Sequence, residues 1–99
     1  MANTNAAGPI HPGEILRTEF LEARHVTLHA VAEACRMPRT RIERLMREQA
    51  SVTADTALRL AAYFGTTARF WTNLQACYDL ELTRAGIADN IAGISAHGF

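Results

Sequence analysis

Lysine is absent from this chain of 99 residues, and all ten of its basic residues are arginine. Ten acidic residues balance them, so the formal net charge is zero and does not by itself favour a polyanionic partner. A case for nucleic-acid binding must therefore rest on where the arginines lie. We attribute the missing lysine mostly to composition bias, although it also makes every basic contact capable of bidentate hydrogen bonding.

Cysteine is scarce, and its placement excludes a Cys-x-x-Cys pair and a metal site. Cys35 and Cys77 are isolated, each within a helical pattern, and no His/Cys cluster has the spacing of metal ligands. The pattern predicts reduced thiols, in the core or an interface of a cytoplasmic protein, with no metal or cofactor. A basic leader and an apolar run of about 18 residues are also missing, so no membrane partner is expected.

Patterns that support catalysis are missing as well. The four histidines are scattered, and we expect His11 and His25 at the surface, at the two ends of the first helix. No carboxylate pair or nucleophile lies beside a base at a recognisable spacing, and there is no glycine-rich phosphate loop. An enzyme is therefore not expected.

Apolar residues recur at helical spacing and predict one all-α domain of five helices. We expect a flexible arm over residues 1–10, a helix-turn-helix domain over 11–84 and a partly ordered tail over 85–99. Gly86 is interpreted as the end of the last helix. The predicted helices cover residues 12–23, 28–35, 38–48, 54–64 and 68–84.

The positive charge is concentrated in the third helix and in the turn that precedes it. Five arginines and one acid, Glu43, lie between Arg36 and Arg47. On a helical wheel Ile42 and Leu45 fall opposite Arg44. Charge alone favours a solvated helix face over a DNA-binding one. The arrangement of the helices favours DNA binding more than the charge does. Two short helices are joined by a tight turn, and the second has apolar residues at i, i+3 and i+4, which is typical of a helix-turn-helix.

The fifth helix carries more apolar surface than one core contact needs. Its apolar residues spread over roughly half of the wheel, compared with the stripe of about 100° that seats a helix on one core. A homodimer is the simplest source of a second contact. The alternative is a helix central to a small bundle. The predicted dimer interface consists of Trp71, Leu74, Tyr78 and Leu82.

Three stretches carry a family resemblance, namely HPGEILRTEFLE at 11–22, PRTRIERLM at 38–46 and TADTALRLAAYFGTTARFWTNLQACYDLE at 53–81. They resemble the antitoxins of the HigA type, also called VapI-like, a branch of the XRE/Cro helix-turn-helix proteins. The resemblance implies a lambda-repressor-like domain that dimerises on operator DNA and represses its own operon. It also implies a toxin partner of the HigB type, similar to RelE, that cleaves mRNA on the ribosome.

The chain departs from the family pattern at three places. Arg36 stands in the turn where the family usually has glycine, Leu28 stands where a phosphate-binding glutamine is common, and residues 47–51 replace a glycine-containing loop. Either Arg36 adopts the left-handed conformation or the turn differs. Two other functions therefore stay open: a stand-alone XRE-family regulator, and a toxin-binding protein with weak DNA binding.

Operator binding by such a domain assigns roles to individual side chains. The third helix would enter the major groove, and base reading is predicted for Arg39, Thr40 and Arg44. Arg41, on the flank of the helix, is within reach of base or backbone. Phosphate contacts are predicted for Arg47 and for two helix starts, Thr27 and Thr53.

Overall fold

The computed structural model describes residues 8–98, so most of the predicted arm lies outside the described residues. Between residues 8 and 98 there are helices and no strand, which confirms the predicted all-α class. The first helix begins as α1 and continues directly as a π-helical segment. The bounds are α1 Pro12–Ile15, the π-helical segment Leu16–Glu22, α2 Leu28–Cys35, α3 Arg39–Met46, α4 Ala54–Phe64 and α5 Ala68–Ala92.

Threonine starts three of the helices, as the sequence predicted. A helix leaves its first backbone N–H groups without partners, and a threonine at the N-cap can satisfy one of them. Each of the three hydroxyl groups accepts a hydrogen bond from the N–H three residues on, at 3.0, 3.2 and 3.0 Å. The capping residues are Thr27 for α2, Thr53 for α4 and Thr67 for α5.

The start of α1 is buried, which corrects the surface position expected for His11. Only 4% of His11 is exposed, and its Nδ1 atom caps α1 by accepting the N–H of Gly13 at 2.9 Å. The ring lies edge-on to Tyr78 of α5, with 4.7 Å between ring centroids. His25 is exposed, as expected, and has a left-handed backbone with φ of 56°. His11 was mispredicted because its cover comes from distant parts of the chain.

Trp71 is the centre of the core, so it cannot belong to the predicted dimer interface. It is completely buried, packs against Phe20 at 4.9 Å between ring centroids, and donates its indole N–H to Thr66 Oγ1 at 2.8 Å. For this residue the bundle alternative was right. The core around it draws on every helix, on Met37 in the turn and on Val52 in the α3–α4 connector.

Helix α5 is longer than predicted and α3 is shorter. α5 continues through Gly86 to Ala92. A glycine ends a helix where its backbone is left-handed, as it is at Gly65 after α4, with φ of 74°. Gly86 has no such turn and is tolerated within the helix. α3 begins after Pro38 and ends at Met46. No helix within residues 8–98 has an apolar run long enough to cross a membrane.

Candidate nucleic-acid interface

The turn between α2 and α3 is built on a left-handed arginine. Arg36 has φ of 57° and ψ of 47°, which confirms the first of the two conformations considered for this position. The N–H of Met37 donates to the carbonyl of Ala32 at 2.9 Å, which closes the helix end in the way that glycine usually does. Met37 is buried beneath the turn, and Pro38 is the N-cap residue that precedes α3. The turn thus sets the angle between α2 and α3.

Arg59 of α4 fastens this turn. Its Nη1 atom donates to the carbonyl oxygens of Cys35 and Arg36, at 3.0 and 3.1 Å. These carbonyls belong to the last residue of α2 and to its C-cap, where a helix leaves acceptors without intrahelical partners. Sequence reasoning missed Arg59, although its position four residues after Asp55 is the spacing of an ion pair on one helix face.

Helix α3 separates an apolar face from a polar one. Ile42 and Leu45 are buried against the core, whereas Arg39, Thr40 and Arg44 are exposed. The Nη2 atom of Arg44 makes one long contact with a protein acceptor, the carbonyl of Gln49, at 3.3 Å. The predicted face of the helix is confirmed, and base reading by its three exposed side chains stays a prediction.

Arg41 has a different environment from the other arginines of α3. Its Nη1 atom lies 2.7 Å from Oδ1 of Asp55, in the first turn of α4, and 41% of its side chain is exposed. Arg59 Nε lies at the same distance from the same oxygen. Hydrogen bonds from Arg59 and then from Arg41 hold the pKa of the Asp55 carboxyl below its usual value. The three groups therefore form a charged bridge between α3 and α4.

The three predicted phosphate contacts lie on exposed positions around α3. Thr27 and Thr53 are exposed at the starts of α2 and α4, where backbone N–H groups favour anions. Arg47 is exposed directly after α3. Arg17, which the sequence did not point to, supports the same end of the helix, because its Nη1 atom donates to the carbonyl of Met46 at 3.0 Å.

Leu28, at the position where a phosphate-binding glutamine was expected, contributes packing. It is half-buried and packs against the core. Together with Met46 it also lines an open pocket of about 610 Å³ whose rim includes Arg17 and Arg47. The start of α2 therefore presents backbone N–H groups and the Thr27 hydroxyl but no amide side chain at position 28.

The apolar surface of α5 lies mainly beyond the core contacts. Leu74 and Tyr78 are half-buried, and Leu82 is 53% exposed. Leu80, Ile87 and Ile91 are also exposed, but at about 100° per residue they lie on the opposite side of α5 from Leu74, Tyr78 and Leu82. The thiols differ in their surroundings: Cys77 is exposed on α5, while burial raises the pKa of the Cys35 thiol.

Comparison with known proteins gives consistent matches. The family model described as helix-turn-helix matches residues 18–71. Virulence-associated protein I of Dichelobacter nodosus is 48% identical over 81 residues, which are 82% of this chain and 75% of that protein. The structure of Pseudomonas aeruginosa antitoxin HigA with the higBA promoter superposes with a TM-score of 0.82 at 42% identity, covering 88% of this chain and 96% of the other. Antitoxin GraA in complex with its operator gives 0.83 at 37% identity and covers 99% of both chains.

Proposed function

The chain belongs to the helix-turn-helix family, and on that premise we propose that it is an antitoxin of the HigA type that binds the operator of its own operon. The observation that carries the proposal is the exposed face of α3. Arg39, Thr40 and Arg44 point away from a buried face formed by Ile42 and Leu45. An amphipathic helix of this kind fits the major groove, where arginine can donate two hydrogen bonds to guanine.

Phosphate contacts would fix the register of α3 on the duplex. Thr27 and Thr53 present helix N-termini, and Arg47 adds a cation at the far end of α3. Contacts of this kind carry no sequence information, but they position the helix that does. The solved complexes of HigA with its promoter and of GraA with its operator support DNA as the ligand of this fold.

A dimer would place two copies of α3 in successive major grooves about 34 Å apart on a palindromic operator. Leu74, Tyr78 and Leu82 remain the proposed contact surface, because they lie on one side of α5 and Leu82 is 53% exposed in the single chain. Trp71 is left out because it is needed inside each subunit. A surface of this composition favours self-association over exposure to water.

The second partner in the proposal is a toxin of the HigB type, whose neutralisation would require only binding. We assign the chain no enzymatic step and place it in the cytoplasm, where operator and toxin both occur. The likeness to antitoxin structures over nearly the whole chain supports this partner.

The test combines two assays on the full chain. A gel-shift titration measures binding to the DNA upstream of its own gene and to an unrelated duplex of equal length. Co-expression with the neighbouring small open reading frame then measures whether the two products purify together and whether toxicity is suppressed. Preferential binding to the upstream DNA and a purified complex are the expected results.

The other outcomes select between the alternatives. A shift of the upstream DNA without a neighbouring toxin gene would make the chain a stand-alone regulator. Co-purification without any DNA shift would make it a toxin-binding protein, in line with the leucine at position 28. Failure of both assays would exclude the proposed function.

A further inference from the structure

One carboxylate joins three parts of the candidate interface. Oδ1 of Asp55, in the first turn of α4, accepts hydrogen bonds from Arg41 of α3 and from Arg59 of α4, each at 2.7 Å. Arg59 also donates to the carbonyl of Arg36 in the turn. Asp55 therefore links α3, α4 and the α2–α3 turn through two guanidinium groups.

This bridge pairs one of the three arginines of α3 with a carboxylate of the protein. Arg39 and Arg44 are exposed, and within residues 8–98 neither of them forms an ion pair. Arg41 is the arginine of α3 whose charge is matched by a carboxylate in the protein. If Arg41 turned toward DNA, it would leave Asp55 with one partner and with its negative charge facing the phosphates.

We propose that Asp55 is a specificity-determining positioning residue that holds Arg41 away from DNA; the inference rests on the proposed operator binding. Arg41 lies on the flank of α3, where a released guanidinium would meet the phosphate backbone. Phosphates are the same in every sequence, so such a contact would strengthen all complexes alike. By restraining Arg41, Asp55 leaves discrimination to the exposed side chains Arg39, Thr40 and Arg44.

The bridge stays charged at neutral pH, because its two hydrogen bonds lower the pKa of the Asp55 carboxyl. Replacing Asp55 by asparagine removes the negative charge and keeps the size of the side chain. Arg41 is then free to act as one additional phosphate contact. Each phosphate neutralised on a DNA duplex changes the slope of log Kobs against log salt by about 0.9.

The experiment measures fluorescence anisotropy of the operator and of an unrelated duplex, at salt concentrations from about 50 to 200 mM. The proteins are the wild type, Asp55→Asn, Arg41→Gln and the double variant. In Asp55→Asn the slope on the unrelated duplex should steepen by about 0.9, which is a roughly 3-fold greater loss of affinity across this salt range. Its preference for the operator should fall. Arg41→Gln and the double variant should keep the wild-type slope.

Three results would overturn the role of Asp55 while leaving operator binding intact. These are an unchanged slope in Asp55→Asn, a steep slope that persists in the double variant, and a flatter slope in Arg41→Gln. A flatter slope in Arg41→Gln would mean that Arg41 already contacts DNA in the wild type. This result tests the role of Asp55 even if the Asp55→Asn variant unfolds. A wild-type protein that bound neither duplex would instead exclude the proposed function, and with it the role of Asp55.

Discussion

The guanidinium of Arg59 lies 3.1 Å from the carbonyl oxygen of Arg36, the one left-handed residue in the turn between α2 and α3. A non-glycine residue in this conformation is disfavoured by about 1–2 kcal/mol, because its Cβ approaches the backbone. The contact from α4 helps to hold the strained turn. The junction that sets the direction of α3 therefore depends on a helix further along the chain.

Glycine at position 36 should stabilise the protein. Arg36→Gly relieves the left-handed strain and keeps the carbonyl that Arg59 contacts, so we expect the free energy of unfolding to rise by about 0.5–1 kcal/mol. Arg36→Ala is the matched control, since it removes the same charge and retains the strain. Urea denaturation measures both. Equal stabilisation by the two variants would show that charge, and not backbone strain, is relieved.

Gly13 and Gly86 form a second matched pair. A Cβ atom on Gly13 would overlap the backbone carbonyl of Leu45, whereas one on Gly86 would meet open space. Gly13→Ala should destabilise the protein by about 1–3 kcal/mol or more through overpacking between α1 and α3. Gly86→Ala should stabilise α5 by about 0.5–1 kcal/mol. Thermal unfolding checks both signs, and a harmless alanine at position 13 would contradict the close approach of α1 and α3.

Gln75 is a buried side chain that connects α5 to the loop after α3. Its Oε1 atom accepts the N–H of Val52 at 2.7 Å, and its Nε2 atom donates to Asp79 at 2.9 Å. Gln75→Leu should lower the free energy of unfolding by about 1–3 kcal/mol, because the buried N–H of Val52 loses its acceptor. The control is Asn73→Ala, because Asn73 is exposed on α5. This variant should change the free energy of unfolding by less than about 0.5 kcal/mol. A Gln75→Leu variant as stable as the control would mean that Val52 needs no partner.

Most features that the sequence predicted correctly depend on neighbouring residues, and most of those that it missed depend on distant ones. Threonine caps and the two faces of α3 follow from local chemistry, and both were predicted. The pairing of Arg41 with Asp55 joins two helices, and no local pattern specifies it. The burial of His11 likewise depends on Tyr78 of α5. The π-helical segment, in which the N–H of Ala23 donates to Thr18 five residues back, also had no signal.

His11 should make stability depend on pH. Burial lowers its pKa below the ordinary value of 6.5, and the carboxylates of Glu48 and Asp79 oppose this shift only in part. The unfolded chain therefore binds more protons as the pH falls through 6.5 toward the lower pKa of the folded state, and stability falls with it. His11→Asn keeps an N-cap acceptor and cannot titrate. The measurement is urea denaturation at pH 7.5 and 5.5, roughly one unit on either side of the ordinary histidine pKa. The free energy of unfolding should fall less between these two pH values in this variant than in the wild type. Equal losses would exclude His11 as the cause.

Arg44 and Arg47 should separate base reading from phosphate binding. Arg44 is exposed in the middle of α3, and Arg47 follows its end. Arg44→Ala should weaken operator binding by roughly 1–3 kcal/mol and relax specificity at one base pair, since bidentate contacts to guanine discriminate by this amount. Arg47→Ala should weaken all duplexes alike and reduce the salt slope by about 1.

The control for both arginines is Arg84→Ala on α5, where the guanidinium is paired with Glu81 at 2.7 Å. Its removal should leave operator affinity unchanged, because the proposed interface lies on α3 and the adjoining helix starts. The measurement is a competition titration against operators with single base-pair changes, repeated at two salt concentrations. If Arg44→Ala lost affinity equally for every operator, Arg44 would be a backbone contact, and base reading would have to come from Arg39 and Thr40 at the start of α3.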